Sequence, residues 1–149
     1  MDRGTVAKEL FENGYNCSQA IVLAFKDLLD IKEEDLKAIS SSFGGGISRL
    51  REVCGCISGM AIVFGYLYGN YDVNNTDAKA NHYKLIQKLS LEFKEKFNTY
   101  NCAELLNIKK EVSVPVPEKR SKEYYEKRPC GKYIAYMASL IEREIKEHE

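Results

Sequence analysis

Five cysteines, Cys17, Cys54, Cys56, Cys102 and Cys130, carry most of the chemistry this 149-residue chain can offer. Deprotonated sulfur binds metals, ligates iron–sulfur clusters and attacks disulfides; the neutral thiol does so far less well. Two of the cysteines sit in one tripeptide used twice, Tyr15-Asn16-Cys17 and Tyr100-Asn101-Cys102. Asn is a strong helix cap, so each of these cysteines should be the first residue of a helix. Cys130 follows Pro129, and Pro is favoured in a first turn, so a third helix should open there. Cys54 stands where a glycine-rich loop gives way to an uncharged stretch, the start of a fourth. A helix N-terminus presents free N–H groups and partial positive charge, so each of the four thiolates is expected to be stabilised by its helix end. Four thiolates gathered at one point repel one another unless a cation or a cluster neutralises them, and the same helix ends would supply N–H donors to the sulfurs. Cys54 and Cys56 lie about 200° apart on a helix. Cys56 is therefore expected in the core, joining the site only if Cys54 keeps loop geometry.

Other chemistry finds little footing. The 22 basic and 22 acidic residues balance, so nothing asks for nucleic acid or an anionic membrane. Hydrophobic residues at 44% and charged residues at 30% suit a globular chain. Gly44-Gly45-Gly46-Ile47-Ser48-Arg49 lacks the Lys-Ser/Thr ending of a phosphate loop, and no strand precedes it. It reads as a flexible loop giving backbone access to the thiols, with Arg49 or Arg51 near them. His82 and His148 are expected to face solvent. No Ser-His-Asp or paired-carboxylate pattern emerges. The opening Met1–Gly14 has no apolar signal core, so a cytoplasmic location is expected. In that reducing compartment cysteines serve as ligands or redox groups more often than as structural disulfides.

The elements that must position the thiols are helices throughout. The spacing predicts one all-α domain over residues 1–149, an irregular bundle of about six helices. The first runs from Thr5 to about Phe11 and stops at Asn13-Gly14. The second starts at Asn16 and turns Ala20, Ile21, Ala24, Phe25, Leu28 and Leu29 toward the core. A short third covers Glu33 to Ser41. No charge occurs from Val53 to Tyr71, a run long enough to raise a membrane span, but its glycines and Ser58 favour a central helix buried on all sides. Membrane insertion is not expected. A long helix from Asn75 to about Asn98 presents Tyr83, Ile86, Leu89, Phe93 and Phe97 inward, and a shorter one begins near Asn101. Val112 to Pro117 alternates valine with proline and must be extended. Glu118 to Arg128 is an exposed connector or short helix. The last helix buries Tyr133, Ile134, Met137, Leu140, Ile141 and Ile145.

With these residues in order, the chain resembles the redox-active family named for its cysteine–glycine signature, C_GCAxxG_C_C. The residues that carry the resemblance are Tyr15-Asn16-Cys17-Ser18-Gln19-Ala20, Phe43 to Arg49, Cys54-Gly55-Cys56-Ile57-Ser58-Gly59 with Gly65 and Tyr68-Gly69, Asn101-Cys102, and Pro129-Cys130-Gly131. The family commonly has alanine where Cys56 stands, which leaves the role of Cys56 open. The resemblance implies a redox role for Cys17, Cys54, Cys102 and Cys130. The leading expectation is an iron–sulfur cluster on those four cysteines for electron transfer or sensing, with Gly55 and Gly59 giving it room. A thiol–disulfide oxidoreductase is the second reading, although no C-x-x-C motif occurs. Structural zinc on the same four cysteines is the third, without the close cysteine knuckles zinc usually uses. A helical interaction protein with buried thiols is the fourth. A redox protein is the expected partner, and a homodimer across the tyrosine-rich surface is compatible with the composition.

Overall fold

In the computed structural model, which describes residues 1–149, the chain is all-α. Six helices have seven residues or more: α1 Arg3–Glu12, α2 Cys17–Leu23, α3 Glu33–Ser40, α4 Gly55–Tyr68, α5 Thr76–Phe97 and α8 Cys130–Glu147. Two shorter ones, α6 Cys102–Leu106 and α7 Lys122–Lys127, complete the bundle. The only strand-like pairing is a single antiparallel bridge between Val53 and Asn101.

Local chemistry sets the helix boundaries. Asp2 caps α1 by accepting from Thr5 N at 2.8 Å, and the chain leaves α1 through Gly14 at φ +106°. Asn16 and Gln19 close a reciprocal box at the start of α2: Asn16 Oδ1 accepts from Gln19 N at 2.9 Å, and Gln19 Oε1 accepts from Asn16 N at 3.1 Å. Asn16 Nδ2 also donates to Ser41 O at 3.0 Å, tying α2 to the turn after α3. Asn16→Ala removes the two side-chain bonds, to Gln19 N and Ser41 O, and leaves the backbone N–H of residue 16 to Gln19. We expect it to cost about 1–2 kcal/mol and to lower the melting temperature by about 2–8 °C by calorimetry.

α4 runs through the middle, with Cys56, Ile57, Met60, Val63 and Phe64 buried. α2 lies so close that a Cβ on Gly59 would stand 2.9 Å from Ile21 Cβ. α1 crosses α8 with similar closeness, since a Cβ on Gly4 would meet Ala135 O at 2.9 Å. Phe25, Phe64, Phe93, Ile134 and Met137 fill the space between the helices.

Several expectations are corrected. α2 stops at Leu23, and a 3-10 turn over Lys26–Leu28 turns Leu28 outward while Leu29 stays buried. α4 is not buried on all sides: its far end surfaces, and the exposed Tyr66 accepts from Asp30 N at 3.0 Å. No helix is long and apolar enough to cross a membrane. Tyr83 lies 54% exposed on α5, because the inward stripe is carried by Leu89 and Phe93.

The largest correction is at the glycine run. It is no flexible loop but a left-handed turn, with φ of +70° at Gly45, +66° at Gly46, +67° at Ile47, +48° at Ser48 and +67° at Arg49. Left-handed backbone costs about 1–2 kcal/mol per non-glycine residue. The turn is held by Arg51 N donating to Gly45 O at 3.1 Å, Glu52 N to Gly46 O at 3.0 Å and Ser48 Oγ to Ser42 O at 3.0 Å. Across it lies the extended segment after α6: Ser113 N donates to Arg49 O at 3.0 Å, and Arg49 Nε donates to Val114 O at 2.7 Å.

Candidate functional site

Each of the four cysteines stands at a helix start. Cys17, Cys102 and Cys130 are the first residues of α2, α6 and α8, and Cys54 is the residue before α4. Cys54 keeps extended geometry, and its Sγ accepts from Cys56 N at 3.5 Å, so the sulfur itself caps the helix. Three packing features bring the helix ends together. A Cβ on Gly55 would lie 3.0 Å from Cys17 Cβ, which sets α4 against α2. Backbone bonds from Cys54 N to Tyr100 O (2.8 Å) and from Cys102 N to Glu52 O (2.6 Å) pin Cys54 beside Cys102. α8 delivers Cys130 to Cys17.

All five thiols are free; Cys54, Cys56 and Cys102 are buried, Cys17 and Cys130 half-buried. Cys17 lies beside Cys130 and Cys56, and Cys56 N donates to Cys54 Sγ. Arg51 Nη1 donates to Cys102 Sγ at 3.5 Å. The titration of the thiols follows from these contacts. Cys17 is held well below the ordinary thiol range by the Cys130 hydrogen bond, then by Cys56 and the Arg120 charge, against the cost of burial. Cys130 is pushed up because it gives its proton to that contact, and burial adds to the effect. Burial raises Cys56 and Cys102, with Arg51 opposing it at Cys102. Helix ends therefore do not lower every thiol, as the sequence suggested. An end is worth about 0.3–2 kcal/mol, and at Cys102 and Cys130 desolvation and neighbouring sulfur outweigh it.

Cys17, Cys54, Cys102 and Cys130 together line one cavity of about 340 Å³; Cys56 lies behind them and does not. Gly44, Gly45, Gly46 and Gly55 form part of its wall. Gly59 is one turn too far along α4 and serves the contact with Ile21 and Ser18. A family model described as "Putative redox-active protein (C_GCAxxG_C_C)" matches residues 15–144, a span containing every one of these groups. The chain belongs to the C_GCAxxG_C_C family. No curated protein and no solved structure gives a significant match.

In this C_GCAxxG_C_C protein the sequence also concealed part of the cavity. Arg120, Tyr124 and Arg128 line it; the stretch expected as an exposed connector or short helix does hold a short helix, but these side chains turn into the cavity. Arg120 donates to Phe11 O at 3.1 Å and Tyr15 O at 3.2 Å, and its guanidinium stacks on Phe11, 4.7 Å from the ring centre. Only the adjacent Tyr124-Tyr125 between Arg120 and Arg128 signals a packed segment there. Tyr15 and Tyr100 pack on the core without lining the cavity. His148 stacks on Tyr68 and the half-buried His82 lies beside Tyr71, both outside the cavity.

No three Cys, His, Asp or Glu side chains close around one ion. A tetrahedral zinc, with sulfur at about 2.3 Å, would need them drawn together. A cluster is wider than a single ion, and the wall holds four separate cysteines with the Cys56 N–H at Cys54 and the Arg51 guanidinium at Cys102.

Proposed function

We propose that this redox-family protein carries out thiol–disulfide exchange, with Cys17 and Cys130 as its working couple. The observation that carries the reading is that Cys17 and Cys130, the two half-buried thiols, line the same cavity, each being the chief influence on the other's titration. Cys17 holds the negative charge and is the nucleophile; Cys130 holds the proton.

The step balances as follows. The Cys17 thiolate attacks one sulfur of a disulfide R–S–S–R, forming Cys17–S–S–R and releasing R–S⁻. Cys17 is then neutral, so the largest cause that raises Cys130 disappears, and its proton passes to the departing thiolate. Cys130 sulfur attacks Cys17 sulfur and expels the second R–S⁻. The disulfide gains two electrons and the Cys17–Cys130 couple loses two. A dithiol partner protein returns the couple to the reduced state.

A second reading is supported by a different observation: the same four cysteines expected as ligands line one cavity while Cys56 does not. Cys17, Cys54, Cys102 and Cys130 would hold an iron–sulfur cluster there, and such a cluster supplies one-electron transfer when bound. Arg51 and the Cys56 N–H beside the sulfurs would raise its potential.

One experiment separates the two. Protein is purified without oxygen, assayed for iron and acid-labile sulfide, then oxidised with one equivalent of a small disulfide, alkylated and mapped by peptide mass. We expect no stoichiometric iron, the loss of two thiols and a Cys17–Cys130 linkage. Iron and sulfide in matching amounts would move the conclusion to the cluster.

A further inference from the structure

The cavity holds more positive charge than the protein neutralises: the Cys17 thiolate answers Arg120 alone, and Arg49 and Arg51 have no counter-ion. Arg49, Arg51 and Arg120 all line it, and none pairs with a carboxylate. The one acidic residue in the wall, Glu118, is taken by Arg128. Arg51 is 5% exposed, with Nε donating to Ser113 Oγ at 2.9 Å and Nη1 to Cys102 Sγ. A guanidinium taken out of water without a counter-ion is costly. Cys102 is a poor counter-ion, because burial holds its thiol in the neutral form. Over the whole chain positive and negative charges balance, so the imbalance belongs to this cavity.

Part of the remaining wall is apolar or aromatic, with Phe11, Leu105, Leu106, Pro117 and Tyr133. At about 340 Å³ the space lies in the range of small-molecule sites, about 300–1,000 Å³. A bare tetrahedral oxyanion would leave most of it empty and the apolar wall unused. Cys54 and Cys102, at 5% and 8% exposure, lie too deep for the surface of another protein to reach.

We propose that the cavity recognises small organic anions, and that its substrates are low-molecular-weight disulfides bearing carboxylates, bound by Arg49, Arg51 and Arg120 so that a sulfur of the ligand meets Cys17. The assignment rests on the thiol–disulfide reading and names the substrate class for it. The exchange is the one written above, with R a carboxylate-bearing thiol.

Two measurements on the reduced, full-length protein test this. The first is calorimetric binding of S-methylglutathione, a thioether that cannot react, against its diethyl ester and against sulfate. We expect the free acid to bind at least about tenfold more tightly than the ester, as loss of charge-assisted bonds to guanidinium implies. We expect a similar loss in Arg51→Met and in Arg49→Met; the second variant carries the test should the buried Arg51 prove necessary for folding. The second measurement compares rates with glutathione disulfide and with the neutral 2-hydroxyethyl disulfide. The anionic disulfide should react at least about tenfold faster at low salt, with the advantage shrinking as salt screens the guanidinium groups. Equal binding of acid and ester, or equal rates with both disulfides, overturns the anion assignment while leaving the thiol chemistry standing. Sulfate binding as tightly as S-methylglutathione overturns the organic class. Tight binding of the acid with no reaction of either disulfide upholds the anion site and sinks the thiol–disulfide reading instead.

Discussion

Cys17→Ser is expected to slow reduction of a small disulfide by more than about a hundredfold, because a hydroxyl near neutral pH is neither ionised nor able to form the mixed disulfide. Cys102→Ser should stay within about tenfold of the parent, since Arg51 and not another thiol is its hydrogen-bond partner. A cluster held by four cysteines predicts instead that the two variants fail alike. The pH dependence of Cys17 alkylation by iodoacetamide gives a second view of the same site. The reactive species is the thiolate, so the rate should reach its plateau at a pH well below the usual thiol range. Cys130→Ala removes the hydrogen bond that contributes most to this lowering. A bond donated to a charged sulfur favours the charged form, so its loss must raise the midpoint. The midpoint should therefore move upward, toward the ordinary thiol range. A midpoint that stays put or falls would show that Cys130 does not donate to Cys17.

The parts of the molecule legible in the sequence are those governed by neighbours in the chain. Asn16 and Asn101 cap the helices they precede, Pro129 opens α8, and so Cys17, Cys102 and Cys130 fall where local rules put them. Cys54 was placed by the change from glycine-rich to uncharged sequence. What was not legible depends on distant contacts. Leu28 fits the helical stripe of α2, yet the helix ends at Leu23, and periodicity alone carries no sign of that. Arg120 sits in a run of charge, but its partners are the carbonyls of Phe11 and Tyr15, more than a hundred residues away. The raised titration of Cys102 comes from burial, a property of the fold and not of the helix end. Ile47 is the clearest case. A β-branched residue is among the least suited to left-handed backbone, so its place in the turn is imposed by the bonds on either side of it.

That imposed turn makes Gly46→Ala the substitution expected to damage stability most. Gly46 is buried at φ +66°, and a Cβ there would stand 2.6 Å from Cys102 Cβ and 2.6 Å from Glu52 N. Neither neighbour can give way cheaply. Glu52 N is bonded to Gly46 O at 3.0 Å, and Glu52 O holds Cys102 N at 2.6 Å. Relief requires either opening the turn or pushing α6 and its cysteine out of the site. With about 1–2 kcal/mol of backbone strain added to the clash, the cost should reach about 3 kcal/mol or more, a fall in melting temperature of about 6–12 °C. Two other glycines separate the causes. At Gly14, φ is +106° with open space around the missing Cβ, so Gly14→Ala should show the backbone cost alone. At Gly65, within α4, a Cβ meets nothing within 4 Å, so Gly65→Ala should stabilise by about 0.5–1 kcal/mol through helix propensity. If Gly46→Ala were no worse than Gly14→Ala, the turn would be yielding rather than rigid. Cys102 would then owe its position beside Cys54 to the Val53–Asn101 bridge alone.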